Sequence, residues 1–233
     1  CESSFQISRH IQDVIYCGSQ KVYRSYDKGD TWHKISEDLT RGYKNTGNVP
    51  YSSLTTIEES PLKFGIIYTG SDDGMGYLTK DGGNTWTKII DKPGFWISMV
   101  QPSTHKEARV YASMNGYRED HFLPYLMVSE DFGKTWTEFG KDLPNEPINV
   151  ICEDSQNENL LYVGTDNGLY ISFDRGKSFM SSNNQFLPNV AVHDIKIHHR
   201  DNELLVGTHG RSIYIANAKM LQNLTQENLQ NSL

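Results

Sequence analysis

The sequence is poor in cysteine, and its three cysteines, Cys1, Cys17 and Cys152, are irregularly spaced. They are too few for a disulfide framework and do not have the spacing of a zinc site. Cys17 and Cys152 lie in apolar runs typical of strands, which predicts two ordinary buried thiols. We therefore predict neither a structural metal nor any other cofactor.

The sequence also lacks long apolar runs and an excess of positive charge. No run approaches the roughly 20 apolar residues that cross a bilayer, and no basic segment followed by an apolar one resembles a targeting leader. We expect a soluble chain without a transmembrane segment or a targeting signal. The net charge is −7 and the basic residues are scattered, which argues against binding to nucleic acid or to an anionic membrane.

The sequence is rich instead in one turn motif, Ser/Thr-x-Asp-x-Gly-x-Thr/Ser-Trp/Phe, which we call the repeated turn. It occurs at residues 25–32, 79–86, 129–136 and 172–179. Each copy predicts a β-hairpin, because aspartate and hydroxyl side chains hydrogen-bond nearby backbone and glycine accepts a positive φ. One carboxylate per copy is too few for a calcium site. We predict a structural role for the aspartates and aromatic residues of the motif: Asp27, Trp32, Asp81, Trp86, Asp131, Trp136, Asp174 and Phe179.

Short β-rich runs ending in small residues precede the repeated turns and set a period. Their corresponding residues fall at positions 17, 69, 112, 163 and 206, which are 43 to 52 residues apart. With one further run upstream and one on either side of the turn, each period holds four antiparallel strands, the pattern of a β-propeller blade. The predicted fold class is all-β, a propeller segment of about five blades within residues 1–218: 1–40, 41–92, 93–144, 145–187 and 188–218.

The fifth period has no repeated turn and no obvious fourth strand. We therefore expect the carboxy-terminal part of a larger propeller of six to eight or more blades, whose remaining blades come from the same protein or from another chain. The alternative is a compact ring of five blades whose ends meet edge to edge. Residues 219–233 form a polar tail in which scattered apolar residues indicate a short amphipathic helix.

The repeated turns resemble Asp-box (BNR) repeats, which occur in sialidases, in the sortilin (Vps10) propeller and in two-propeller xyloglucanases. Residues 47–51, 70–74, 162–168 and 207–214 also resemble the carboxy-terminal propeller region of bacterial sortilin-like, "glycosyl hydrolase, BNR repeat" proteins. The resemblance implies a secreted, periplasmic or cell-surface protein whose Asp boxes are structural and lie away from the ligand face. It does not specify an activity, because the group includes enzymes, receptors and proteins of no assigned activity.

Strand alternation places the loops between second and third strands opposite the repeated turns, together with the connections between blades. Recognition is expected there, because loops on a rigid scaffold usually carry it. The longest of these loops, residues 114–124, combines aromatic rings with an arginine, carboxylates and a histidine, which suits a sugar or a peptide. A solvated loop packed on a neighbouring blade is equally consistent with it. The ligand-binding candidates on this face are Trp96, Tyr117, Arg118, Glu119, His121, Asn167, His209 and Arg211.

Two of these candidates have a structural alternative that we favour. For Trp96 it is burial beside the next strand rather than an exposed platform for sugar stacking, and for Arg211 it is pairing with a neighbouring backbone or carboxylate group. His193-Asp194 and His198-His199 show no third metal ligand, and adjacent strand residues point to opposite faces, so we predict no metal site.

No catalytic residue is identified from the sequence. An inverting glycoside hydrolase uses two carboxylates about 6.5–9.5 Å apart, and loop position alone offers Asp72, Asp73, Asp120 and Asp166 as candidates. We favour a non-catalytic binding or interaction module of a larger secreted or envelope protein, with a glycan or polypeptide as ligand. The runner-up is a domain of a sialidase-like or xyloglucanase-like glycoside hydrolase whose catalytic carboxylates are completed elsewhere. A scaffold propeller within an assembly is the third hypothesis.

Overall fold

The computed structural model describes residues 4–42, 51–182, 187–198 and 200–224. This part of the chain contains 19 β-strands and one short α-helix, α1 (Ala218–Gln222), so the all-β prediction is confirmed. Most of the motif predicted at residues 47–51, the second histidine of the 198–199 pair and most of the tail lie outside the described residues.

The strands form five antiparallel sheets in which each strand pairs with its neighbours in sequence. The first sheet contains β1 (Ser4–Ile7), β2 (Ile15–Gly18), β3 (Val22–Ser25) and β4 (His33–Lys34). The second contains β5 (Leu54–Glu59), β6 (Ile67–Ser71), β7 (Met75–Thr79) and β8 (Thr87–Asp91). The third contains β9 (Trp96–Pro102), β10 (Val110–Gly116), β11 (His121–Ser129) and β12 (Thr137–Phe139).

The fourth sheet contains β13 (Ile148–Glu153), β14 (Leu161–Thr165), β15 (Gly168–Ser172) and β16 (Met180–Ser181). The fifth contains β17 (Val192–His198), β18 (Glu203–Thr208) and β19 (Ile213–Asn217). It has three strands within the described residues, in agreement with the absence of a predicted fourth strand. These sheets are blades of a β-propeller, as the repeat predicted.

The chain forms two compact units. The first comprises Cys1–His121 and Met127–Thr137, and the second comprises Phe122–Leu126 and Glu138–Leu233. In the first unit, apolar residues of the first and second sheets share one core, which includes Tyr16, Val22 and Ile57. In the second unit, Ile151, Tyr162 and Leu169 are among the buried residues.

The repeated turn closes on itself through its aspartate and hydroxyl residues. In the third sheet, Asp131 accepts hydrogen bonds from the Thr135 amide (2.9 Å), the Thr135 hydroxyl (2.7 Å) and the Ser129 hydroxyl (2.8 Å). The other three copies repeat this arrangement around Asp27, Asp81 and Asp174. Each of these carboxylates is therefore occupied by its own turn.

A backbone hydrogen bond joins each repeated turn to the loop between the first two strands of its own sheet. The donors are the amides of Lys28, Gly82, Phe132 and Arg175, and the acceptors are the carbonyls of Asp13, Gly65, Ala108 and Asn159 respectively. The repeated turns thus lie at the same end of their sheets as the first loops. The loops between second and third strands lie at the opposite end, because successive antiparallel strands reverse direction.

The turn aspartates predict a loss of stability in acid. Hydrogen bonds from the Thr135 backbone and side chain and from Ser129 lower the pKa of Asp131 from 3.8 to about 2. Because the folded pKa lies below the unfolded value, the contribution is present above pH of about 4 and is lost as the pH falls toward about 2. We expect Asp131→Asn to lower the urea midpoint at pH 5, and the gap to the unsubstituted protein to close toward pH 2.

Asp30 provides the control for this experiment. It lies in the first repeated turn, but its side chain accepts no hydrogen bond from the described residues. Asp30→Asn should follow the unsubstituted protein at every pH. A gap for Asp131→Asn that stays constant from pH 5 to pH 2 would contradict the titration.

Both thiols within the described residues are free. Cys152 is buried as predicted, whereas Cys17 is only half-buried, so the prediction for Cys17 was too strong. The difference has a local cause, since Cys17 pairs with the exposed Phe5 and Cys152 pairs with the buried Tyr162. In the described part of the chain, no helix has the length and apolar character needed to cross a membrane.

Candidate functional site

The loop face consists of the loops between second and third strands and the connections between sheets, at the end opposite the repeated turns. In the first unit it contains Asp72, which is buried at the end of β6. Its carboxylate accepts hydrogen bonds from the backbone amides of Tyr51 (2.5 Å) and Ser53 (2.8 Å). Asp72 thus holds the connection that leads into β5.

The neighbouring carboxylate, Asp73, is also buried and also holds a connection. It accepts from the Arg41 amide (2.8 Å) and from the Ser71 hydroxyl (2.5 Å), and its carbonyl accepts from Arg41 Nε (2.8 Å). The Arg41 guanidinium also pairs with Asp91. Both candidate carboxylates of this loop therefore bind groups of the protein itself.

Arg118 is the side chain that brings the predicted residues of the first unit together. Its guanidinium lies over the Trp96 ring, 4.5 Å from the centroid, and 3.8 Å from the Asp72 carboxylate. We call these three residues the Arg118 cluster. The Arg118 side chain remains 27% exposed, so a positioned cation faces solvent on the loop face.

Trp96 is therefore not an open platform for a sugar ring. The indole is half-buried and Arg118 covers one of its faces. Its Nε1 is buried and has no hydrogen-bond partner among the described residues. An unsatisfied buried donor is costly, which distinguishes this indole from those of Trp86 and Trp136, whose Nε1 atoms donate to backbone carbonyls.

The loop after β10 presents the other candidates of the first unit around a 3-10 helix (Tyr117–Glu119). The Tyr117 ring is 60% exposed, and its amide donates to Asn115 Oδ1 (2.8 Å). Asp120 ends the helix with a positive φ of 57° and is exposed. The His121 ring lies 5.7 Å from the Phe95 ring, and Glu119 is exposed.

The candidates of the second unit lie in two separate loops. Asp166 and Asn167 are exposed between β14 and β15, where Asp166 accepts from Asn149 Nδ2 (2.9 Å). His209 and Arg211 are exposed between β18 and β19, and the His209 ring lies 5.5 Å from the His193 ring. Arg211 has no ion-pair partner in the described part of the chain, and the pairing with a neighbouring backbone or carboxylate group that we favoured for it stays a prediction.

The structure thus gathers Asp72, Trp96 and Arg118 in one place. Sequence reasoning did not single out Arg41, whose bonds to Asp73 and Asp91 secure the same loop. Arg41 lies in a connection between sheets, and such connections were predicted to lie on the loop face. No group of three or more histidine, cysteine, aspartate or glutamate side chains suited to a metal ion occurs within residues 4–42, 51–182, 187–198 and 200–224. The arrangement offers an ordered arginine and exposed aromatic and polar groups, which suit recognition.

The chain is a β-propeller protein with a loop face in each unit, and its sequence points to one family. Residues 125–229 match the family described as sortilin, neurotensin receptor 3 (Sortilin-Vps10). A comparison with curated protein sequences finds no match. The family match and the five sheets confirm the predicted resemblance to a sortilin-like propeller.

Solved structures of similar fold include enzymes and an extracellular domain. The GH74 enzyme of Niastella koreensis has a TM-score of 0.73 at 15% identity, with 93% of this chain and 36% of that chain covered. The GH74 xyloglucanase of Xanthomonas campestris has a TM-score of 0.66 at 16% identity, with 89% and 35% covered. The extracellular domain of the putative one component system BT4673 from B. thetaiotaomicron has a TM-score of 0.62 at 16% identity, with 88% and 26% covered.

The chain therefore spans about a third or less of the length of these proteins. At such low identity the likeness establishes the fold alone. Because one fold is shared by enzymes and by an extracellular domain of a putative one component system, the function is argued from the site.

Proposed function

We propose that this chain is a binding module of a larger secreted or envelope protein and presents its loop face to a carbohydrate or a polypeptide. The Arg118 cluster carries the proposal. Arginine donates several hydrogen bonds in a fixed planar arrangement, and stacking on Trp96 with Asp72 nearby restrains it before any ligand arrives. Tyr117, exposed on the same loop, adds an aromatic ring with a polar end.

The setting within a larger protein is supported by apolar side chains on the outward faces of the first and fifth sheets. Ile213 and Ile215 of β19 are 66% and 60% exposed. The residues in the same register on β15, Leu169 and Ile171, are 0% and 7% exposed. The remaining blades belong to the same protein or to another chain. A location outside the cytoplasm accords with the sortilin family match and with the BT4673 extracellular domain.

The second candidate function is a domain of a glycoside hydrolase whose catalytic carboxylates lie elsewhere. It is supported by the GH74 enzymes among the structures of similar fold. It is disfavoured within this chain because Asp72 and Asp73 already accept hydrogen bonds from backbone amides and have little exposure to a substrate. A scaffold propeller, the third hypothesis, would bury the loop face against another subunit.

A glycan array followed by a peptide array tests the binding function. Arg118→Ala and Tyr117→Ala should each weaken binding of any ligand found by about tenfold or more, as for central residues of an interface. Tyr26→Ala is the matched control, because Tyr26 is 50% exposed, lies beneath Arg24 (4.8 Å) and belongs to a repeated turn at the other end of the sheets.

Each outcome of the arrays decides between the hypotheses. Binding to glycans that depends on Arg118 supports the carbohydrate version, and binding to peptides alone replaces it with the polypeptide version. Hydrolysis of an array glycan by the chain itself would overturn the non-catalytic proposal. Loss of binding in Tyr26→Ala equal to that in Arg118→Ala would remove the loop face as the site.

A further inference from the structure

The face of the first sheet that carries Phe5 and Ile7 is apolar and exposed. The residues in the register of Phe5 on the other four sheets are buried. Phe5 pairs with Cys17 as Ile57 pairs with Thr69, so the two occupy the same register, yet Phe5 is 59% exposed and Ile57 is 3% exposed. Ile7 corresponds in the same way to Glu59, at 57% and 1% exposure. Ile57 and Glu59 owe their burial to contacts with the preceding sheet.

The tryptophans of the repeated turns show how a preceding sheet makes these contacts. Trp86 Nε1 donates to the carbonyl of Ile35, which follows β4 (2.8 Å), and Trp136 Nε1 donates to the carbonyl of Ile89 in β8 (3.0 Å). Trp32 is 40% exposed and has no such acceptor among the described residues. Among the described residues, no fourth strand of another sheet lies against this indole, unlike those of Trp86 and Trp136.

The glycine of each repeated turn marks the same contact. A Cβ on Gly83 would lie 2.8 Å from Ile35 Cβ, and one on Gly133 would lie 2.8 Å from Ile89 Cβ. In the second unit, a Cβ on Gly176 would overlap the ring of Phe139, which belongs to β12. A Cβ on Gly29 would meet only the chain's own Trp32, at 3.6 Å.

Three interfaces therefore use one arrangement: a bulky apolar residue at the fourth strand of one sheet lies against the turn glycine of the next. At the two of these interfaces where the turn carries tryptophan, Trp86 and Trp136, that residue's carbonyl also accepts the indole N–H. Phe179 replaces the indole in the remaining copy, and its ring lies 6.4 Å from the Phe139 ring. In the first sheet, the residues at the positions of these contacts are uncovered. They are Phe5, Ile7, Gly29 and Trp32, which we call the first-sheet face.

We propose that the first-sheet face is the docking surface for a further four-stranded blade whose fourth strand carries an isoleucine or a similarly bulky apolar residue. That side chain lies against Gly29, and its backbone carbonyl accepts a hydrogen bond from Trp32 Nε1. The inference rests on the part of the proposed function that places this chain in a larger propeller, and it specifies what the adjoining blade must carry.

The described part of the fifth sheet has three strands, so it does not offer a fourth-strand residue to the first-sheet face. The occupant that we propose is a blade with a complete fourth strand, of the kind that β5–β8 form in this chain. A second copy of this chain is the alternative that the experiment below excludes or reveals.

An extended protein tests the proposal, with residues 51–95 duplicated immediately before Cys1 of the full chain. Phe5 then follows the added segment at the distance at which Val100 follows residue 95, and these two residues have the same register. The probe is hydrogen exchange of the indole N–H groups by ¹H–¹⁵N NMR, with the Trp32 resonance assigned by Trp32→Phe. We expect exchange at Trp32 to slow by about tenfold or more, because a new acceptor and burial protect the N–H.

Two substitutions in the added copy alone sharpen the test. Ile89→Ala should remove most of the protection at Trp32, whereas Lys88→Ala, at an exposed neighbouring position, should leave it unchanged. The proposal is overturned if the added segment contributes no β-sheet signal, or if it does and the Trp32 exchange rate is unaltered.

The same measurement on the unextended chain tests whether a second copy of this chain covers the first-sheet face instead. Exchange at Trp32 should be independent of protein concentration, and protection that grows with concentration would show that a second copy covers the face and would overturn the proposal. Failure here is distinguishable from failure of the binding function, because the arrays depend on Arg118 and Tyr117 rather than on Trp32.

Discussion

Replacement of Gly74 by alanine is expected to lower the free energy of unfolding by about 3 kcal/mol or more, through overpacking and backbone strain together. Gly74 has a φ of 82°, in the left-handed region that costs an alanine energy. An added Cβ would also overlap the Lys92 carbonyl oxygen and lie 2.7 Å from its carbonyl carbon. The clash is with backbone and cannot be relieved by a rotamer change. Urea denaturation followed by circular dichroism measures the loss.

Gly210 provides a matched control, because it occupies the corresponding loop of the fifth sheet and has a φ of 73°. A Cβ there would meet no atom within 4 Å. Gly210→Ala should therefore cost only about 1 kcal/mol, the conformational term alone. Equal losses for the two variants would mean that the Lys92 contact has no energetic effect.

Glu59→Ala is expected to lower the free energy of unfolding by about 3 kcal/mol or more, because it removes the shared acceptor of several buried donors. Glu59 is 1% exposed and joins the second sheet to the first. Its carboxylate accepts from the Ser8 hydroxyl (2.6 Å), the Arg9 amide (3.2 Å) and the Tyr16 hydroxyl (2.8 Å). Glu59→Ala leaves all three without that partner. The urea midpoint should fall while the slope of the transition stays unchanged, since the same surface unfolds.

Glu59→Gln and Tyr16→Phe separate the hydrogen bonds from the packing. The amide of Glu59→Gln keeps one acceptor oxygen, so its loss should be smaller than that of Glu59→Ala. Burial, followed by the hydrogen bond to Glu59, raises the pKa of Tyr16, so the phenol remains a donor throughout the neutral range. Tyr16→Phe should cost about 1 kcal/mol in the unsubstituted protein and less beside Glu59→Ala. Strictly additive losses would show that the two side chains do not interact.

The fold was predictable because its signals are local. The aspartate, glycine and hydroxyl residues of each repeated turn act within eight residues, and Asp131 bonds to Ser129 and Thr135 as their spacing suggests. The strand runs that end near Cys17, Thr69 and Val163 likewise place β2, β6 and β14. The same count predicted that the fifth sheet would lack a fourth strand, and its described part has three strands.

The site was less predictable because its contacts join residues far apart in sequence. Asp72 was a candidate for chemistry from its loop position, but the amides of Tyr51 and Ser53 already occupy its carboxylate. Arg118 lies over Trp96 across a separation of 22 residues, which no local pattern encodes. Sequence reasoning could assign these side chains to one face, but it could not assign them to one cluster.

The pairing of every strand with its sequence neighbours has a consequence for how the protein is made. Hydrogen bonds between adjacent strands need only short stretches of chain, so a sheet can form as soon as its own residues leave the ribosome. We expect each sheet formed later to pack against the sheet that precedes it in sequence. Slow steps in refolding should therefore come from the contacts between sheets rather than from the sheets themselves.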